Sequence, residues 1–77
     1  MGAAFAYKPG ATPFGDRLKK ERIRRGFKVQ EFADRVGIDV SQVTGIENRG
    51  VYPRFDTFVA MAVLLECSLD YLAGLED

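Results

Sequence analysis

The sequence predicts an all-α domain of five short helices, on three observations. Apolar residues recur at helical spacing, and nowhere does a period of two persist long enough for a strand. Helix-starting and helix-stopping residues fall between the apolar groups. The 77 residues, 8.6 kDa in all, show no internal repeat and make one domain at most.

Residues 1–12 mix Gly, Ala and Pro with isolated Phe5 and Tyr7 and follow neither period, so they read as a flexible arm ahead of a domain over 13–77. Thr12-Pro13 offers an N-cap followed by proline at the first helical position, where its missing N–H costs nothing. The first helix then runs from about Pro13 to Arg25, with Phe14, Leu18 and the Glu21/Arg22 position inward, Lys and Arg over most of the rest, and Gly26 as its stop. A second spans Val29 to Val36 with Phe32, Ala33 and Val36 on one face, ended by Gly37. A third starts after Asp39, where Asp39-x-x-Gln42 has the capping-box spacing; it buries Val43 and Ile46 and ends near Asn48, because Arg49-Gly50 and Pro53 follow. Phe55, Phe58, Val59, Ala62 and Leu65 form the apolar stripe of a fourth, and Ser68 caps a fifth that carries Leu69, Leu72 and the edge of Tyr71.

Composition narrows the function. Charged residues at 29% and hydrophobic residues at 47% are an ordinary soluble mix. One cysteine, Cys67, and no histidine remove the usual zinc sites and an internal disulfide, and no carboxylate pair is set beside a base; an enzyme, a metal or a cofactor is not expected. Cys67 reads as a small core residue. The longest apolar run, Phe58 to Leu65, is far too short to span a bilayer, and no signal-peptide order opens the chain, so a cytoplasmic location is expected, with no membrane partner. Formal charge is zero, yet residues 1–35 hold nine of the eleven Lys/Arg against four acids, and 36–77 hold Arg49 and Arg54 against seven acids. Such a split gives one basic end able to meet an anion, although a charge run is as often a solvated helix face.

Residues 29–48 place two short helices around Gly37-Ile38-Asp39, the arrangement of a DNA-reading helix-turn-helix. Ala33 is small enough for the helices to cross closely, and Gly37 can take the positive φ of a sharp turn. An αα-corner with no ligand satisfies the same packing.

Further blocks in order carry a resemblance to the phage repressor and Cro family of helix-turn-helix proteins over residues 14–75. They are Phe14-x-x-x-Leu18-x-x-x-Arg22, Gly26-Phe27, Glu31-Phe32-Ala33-x-x-Val36-Gly37-Ile38, Ser41-x-Val43-x-x-Ile46-Glu47-Asn48, Tyr52-Pro53 and Ser68-Leu69-Asp70-Tyr71-Leu72. The resemblance implies a compact five-helix repressor-type domain that binds duplex DNA, usually as a dimer, with the helix after the turn in the major groove. It implies base-facing roles for Val40, Ser41, Gln42, Thr44 and Gly45. Gln42 offers the donor and acceptor that adenine N6/N7 demands, unless capping helix 3 occupies it; Val40 suits a thymine methyl, and Gly45 permits close approach. Asn48 and Arg49 match backbone-contacting positions, Arg54 after Pro53 lies where a basic residue can approach phosphate or the minor groove, and the amides near Val29 and Gln30, with Lys28 beside them, suit a phosphate. Arg22 and Glu47 are implied to be a partly buried structural ion pair.

The chain departs from the family pattern at Lys28 and Val29, where a Ser/Thr cap and a glutamine are usual. It departs again at Arg54, in place of a Ser/Thr cap, and at Arg49, with the glycine delayed to Gly50. The reading is a sequence-specific regulator, a repressor by preference, acting as a homodimer on a palindromic operator without a small-molecule ligand. The alternative is an antitoxin-like or protein-interaction module of the same fold. Leu69, Leu72 and Leu75 are the first candidates for the dimer interface, with Phe5 and Tyr7 second.

Overall fold

The computed structural model describes residues 13–75, and its order is α1 (Pro13–Arg24), α2 (Val29–Val36), α3 (Val40–Asn48), α4 (Phe55–Leu65) and α5 (Leu69–Ala73). Thr12 and the arm lie outside the described residues. Helix ends follow local chemistry. Gly37 turns left-handed at φ 87°, and the Gly37 and Ile38 amides both donate to the Ala33 carbonyl, at 2.8 and 3.0 Å, which stops α2 and folds Ile38 back toward the core. At the start of α3 the Asp39 N–H donates to Gln42 Oε1 at 3.1 Å, one half of the capping box. Ser68 Oγ accepts from the Tyr71 N–H at 3.0 Å and opens α5.

The core joins all five helices through Phe14, Leu18, Phe32, Ala33, Val43, Ile46, Met61, Ala62, Leu65 and Leu72. Helix α1 lies against α3 and α5, α2 against α3 and α4, and α4 against α5. Phe14 meets Phe58 edge to face, with ring centroids 5.1 Å apart. Gly15 lets α1 and α3 touch backbone to backbone: a Cβ there would collide with the Ile46 carbonyl oxygen. Two expectations for α4 and α5 are corrected. Phe55 is 72% exposed, at the first position of α4, while Met61 takes the inward place. Leu72 is fully buried, because α5 is wedged between α1 and α4.

Two polar clusters lie inside this frame. Arg22 meets Glu47 in a two-pronged contact, Nε to Oε2 at 2.7 Å and Nη2 to Oε1 at 3.1 Å, and its Nη1 donates to the Phe27 carbonyl at 2.7 Å. Their side chains are 8% and 2% exposed, so α1, the loop after it and the end of α3 are tied by one desolvated fork. Glu21 accepts from Arg24 Nε at 2.9 Å and from the Tyr71 hydroxyl at 3.2 Å, pinning α5 to α1. The Arg24 guanidinium, opposed by burial, holds the Glu21 carboxyl below its ordinary value, and burial followed by Glu21 pushes the Tyr71 hydroxyl up. Cys67 packs on the core edge, and burial, then Glu21, pushes its thiol up.

Glu47→Ala or Arg22→Ala leaves one charge buried alone and is expected to cost about 3–5 kcal/mol in urea unfolding. The double replacement Arg22→Met, Glu47→Leu is expected to cost less than either single change; equal additive losses would show the pair is not coupled. Because the Glu21 pKa is lowered in the fold, its stabilisation is present above the ordinary carboxylate range and is lost as pH falls through the lowered value. Glu21→Gln is therefore expected to flatten the fall in unfolding midpoint between neutral and acid pH, and an unchanged slope would contradict this.

Candidate nucleic-acid interface

Helix α3 turns Val43, Ile46 and Glu47 inward, so helical spacing sends Ser41, Thr44, Gly45 and Asn48 to the opposite face. Ser41, Gln42 and Asn48 are exposed and Thr44 is half-buried, its hydroxyl donating to the Ser41 carbonyl at 3.2 Å. Val40 is half-buried against the core, which leaves only part of its surface for a partner. Gln42 spends its oxygen on the Asp39 amide, so its Nε2 is the end left to meet a ligand while the cap is closed.

Gly45 corrects an expectation. It is buried within the chain, because the Arg49 guanidinium folds over it, with Nη2 2.8 Å from where a Cβ would sit, and Val51 Cγ2 lies 3.3 Å from the same point. The gap left by the missing side chain is filled by Arg49. This places that guanidinium against the outward face of α3. The loop makes this possible: Arg49 closes the helix, Gly50 turns at φ 72°, and the Val51 amide returns to the Gly45 carbonyl at 3.2 Å.

The flanking residues divide. Gln42 and Arg54, far apart in sequence, line one groove of about 440 Å³ together with Gly37, Ile38, Tyr52 and Pro53. Arg54 caps the backbone entry to α4 without a side-chain hydrogen bond and stands 86% exposed, with Asp56 3.5 Å away. Lys28 and Gln30 line a separate shallow concavity along α2 with Glu31, Asp34 and Arg35. No side chain caps α2, so its first amides stay open to an acceptor, whereas Gln30 donates its own amide to Asp34 at 3.0 Å and the Val29 side chain packs on the core. Sequence reasoning missed Lys19, whose Nζ lies 3.4 Å from Asn48 Oδ1. The α1–α3 crossing at Gly15 brings it there, one turn further along the same face, and no local pattern announces such a contact.

Several cations counted in the basic half serve the fold instead. Arg22 and Arg24 are paired internally, and Arg17 donates to the Tyr71 carbonyl at 3.0 Å with its guanidinium 4.6 Å from the Tyr71 ring centre. Of the expected dimer residues, Leu72 is committed to the core and Leu69 and Leu75 keep 37% and 60% exposure; Phe5 and Tyr7 lie outside the described residues. No helix among the described residues is long and apolar enough to cross a membrane.

Comparison with known proteins agrees with this geometry. A family model described as Helix-turn-helix matches residues 18–72. An uncharacterised HTH-type transcriptional regulator of Bacillus subtilis, YobD, is 33% identical over 61 residues, which cover 79% of this chain. The chain spans about half (54%) of the length of that relative. Among solved structures, the P22 c2 repressor in complex with a synthetic operator superposes with a TM-score of 0.77 at 22% identity, over 82% of this chain and 96% of that one. The biofilm master regulator SinR of Bacillus subtilis in complex with DNA superposes at 0.71 with 25% identity, over 77% and 95%. With the turn at Gly37, the crossing at Ala33 and a family match over most of its length, the chain belongs to the helix-turn-helix family of the phage repressor and Cro type.

Proposed function

We propose that this chain is a sequence-specific, double-stranded-DNA-binding transcriptional regulator, a repressor acting as a homodimer on a two-fold symmetric operator. One observation carries the reading: α3 is locked from behind by Val43, Ile46 and Glu47 while its opposite, polar face stays available and is bordered by the exposed cations Lys19, Arg49 and Arg54. A rigid helix with that outer face fits the major groove. The complexes that SinR and the P22 c2 repressor make with DNA support it.

Within this reading, Ser41, Thr44 and the exposed part of Val40 meet base edges. Gln42, with its cap closed, presents a donor to guanine O6/N7 or thymine O4; the two-pronged contact with adenine requires the cap to open. Arg49 acts from the position vacated at Gly45, where a guanidinium suits guanine O6/N7. Lys28 with the open α2 amides around Val29 and Gln30, and Asn48, Lys19 and Arg54, hold phosphates. Repression needs nothing beyond occupying a promoter. A dimer follows from surface area, since one recognition helix covers too little DNA for tight specific binding.

Selection on a randomised duplex pool is expected to enrich a two-fold symmetric site with half-sites about one helical turn, ~34 Å, apart. Unenriched DNA lost at modest salt would reduce the reading to phosphate contacts, and no retention would favour a protein-interaction module. On the enriched site, Arg49→Ala is expected to cost about 1–3 kcal/mol and relax one base position per half-site. Lys28→Ala is expected to weaken all sequences alike and lower the salt slope by about 1.

A further inference from the structure

The outward face of α3 lacks a side chain at its middle, and two residues from beyond the helix stand there instead. Arg49 Nη2 and Val51 Cγ2 lie 2.8 and 3.3 Å from the point that a Cβ on Gly45 would occupy. The backbone delivers both. Arg49 closes α3, Gly50 turns left-handed at φ 72°, and the Val51 N–H donates to the Gly45 carbonyl at 3.2 Å, so the chain doubles back along its own helix. Val51 keeps 44% exposure. Single exposed apolar residues need no explanation, but this one is set beside a guanidinium on the face that carries Ser41, Thr44 and Asn48.

We infer that Val51 is a specificity-determining residue, which reads the C5-methyl of a thymine in the base pair next to the guanine that Arg49 reads. The inference deepens the DNA-binding reading and rests on it, with α3 in the major groove. That groove offers donors, acceptors and one apolar group, the thymine methyl. The Val51 side chain has neither donor nor acceptor, so phosphates and the polar base edges give it nothing, whereas its methyls match another methyl by excluding water between them. Arg49 sets the register. Its fork suits guanine O6 and N7, and the two groups flank a single point, so they fall on one base pair or on neighbours, which stack ~3.4 Å apart. A G·C pair carries no methyl, so the neighbouring pair supplies it. Val51 also keeps water from one side of the guanidinium, which strengthens the hydrogen bonds Arg49 makes. Gly45 is the positioning residue for both, since any side chain there would take their place.

The test uses the 77-residue chain and the duplex that selection enriches, with affinities measured by fluorescence anisotropy at one fixed salt concentration. The thymine beside the guanine whose preference Arg49→Ala relaxes is replaced, in one half-site, by deoxyuridine, which removes a methyl and no hydrogen-bonding atom. The unaltered chain is expected to bind the deoxyuridine duplex about fourfold more weakly, the transfer value of one methyl group. Val51→Ala, with its fold checked by circular dichroism, withdraws both γ-methyls and is expected to bind the two duplexes alike, while Val51→Ile is expected to keep the ratio. Gly45→Ala, a change that helices favour, is expected to displace the guanidinium and lower the guanine preference and the methyl ratio together. If Val51 only shields the loop, Val51→Ala weakens both duplexes and preserves their ratio, which would overturn the inference. So would an enriched site with no thymine beside the guanine, or equal binding of thymine and deoxyuridine duplexes by the unaltered chain. Failure to enrich any site would instead overturn the DNA-binding reading itself.

Discussion

The buried fork between Arg22 and Glu47 is the constraint on which the placement of every other feature depends. Two charges removed from water must satisfy each other, and the Phe27 carbonyl takes the remaining donor. This fixes the end of α3 against the last turn of α1 and the loop leading to α2. Gly15 sets the depth of the same crossing, because any side chain there would push the Ile46 carbonyl away. The α2 turn then acts from the other end, with Ala33 and Ile38 anchoring the approach to α3. A helix held at both ends by backbone contacts and a desolvated ion pair can present its outer face without reorganising when a partner arrives.

The same economy of polar groups governs the surface. Arg17, Arg22 and Arg24 look like the heart of a basic helix, yet Arg17 is spent on α5, Arg22 on α3 and Arg24 on Glu21 of α1 itself. The cations left for an anionic partner are fewer and lie around α3, where Lys19 and Arg49 arrive from two directions. On α3, capping draws on an exposed side chain. Gln42 completes the capping box with its oxygen, which fixes the helix start and limits what its amide can offer outward.

Helix α4 shows how hard it is to tell core from surface in a small domain. Leu72 reads from the linear pattern as an interface residue together with Leu69 and Leu75, but the core needs it, while Leu69 and Leu75 stay exposed beside it and Phe55 and Val63 stay exposed on α4. A domain this small buries little of its surface, so each large apolar residue counts either toward the core or toward a partner.

Helix existence and helix ends were legible in the sequence, because caps and turns act within a few residues: Gly37, Asp39 with Gln42, and Ser68 place α2, α3 and α5 without reference to the rest of the fold. The match of motif blocks also marked out the family. Tertiary structure alone decided what each face meets. In α4, written FDTFVAMAVLL, apolar residues surround the helix and no period can phase it, so Met61 went inward and Phe55 outward. Arg49 over Gly45 and Lys19 beside Asn48 depend on a loop path and a helix crossing. Local sequence carries the energies of turns and caps; which side chains share a surface is settled only when distant helices exclude water together.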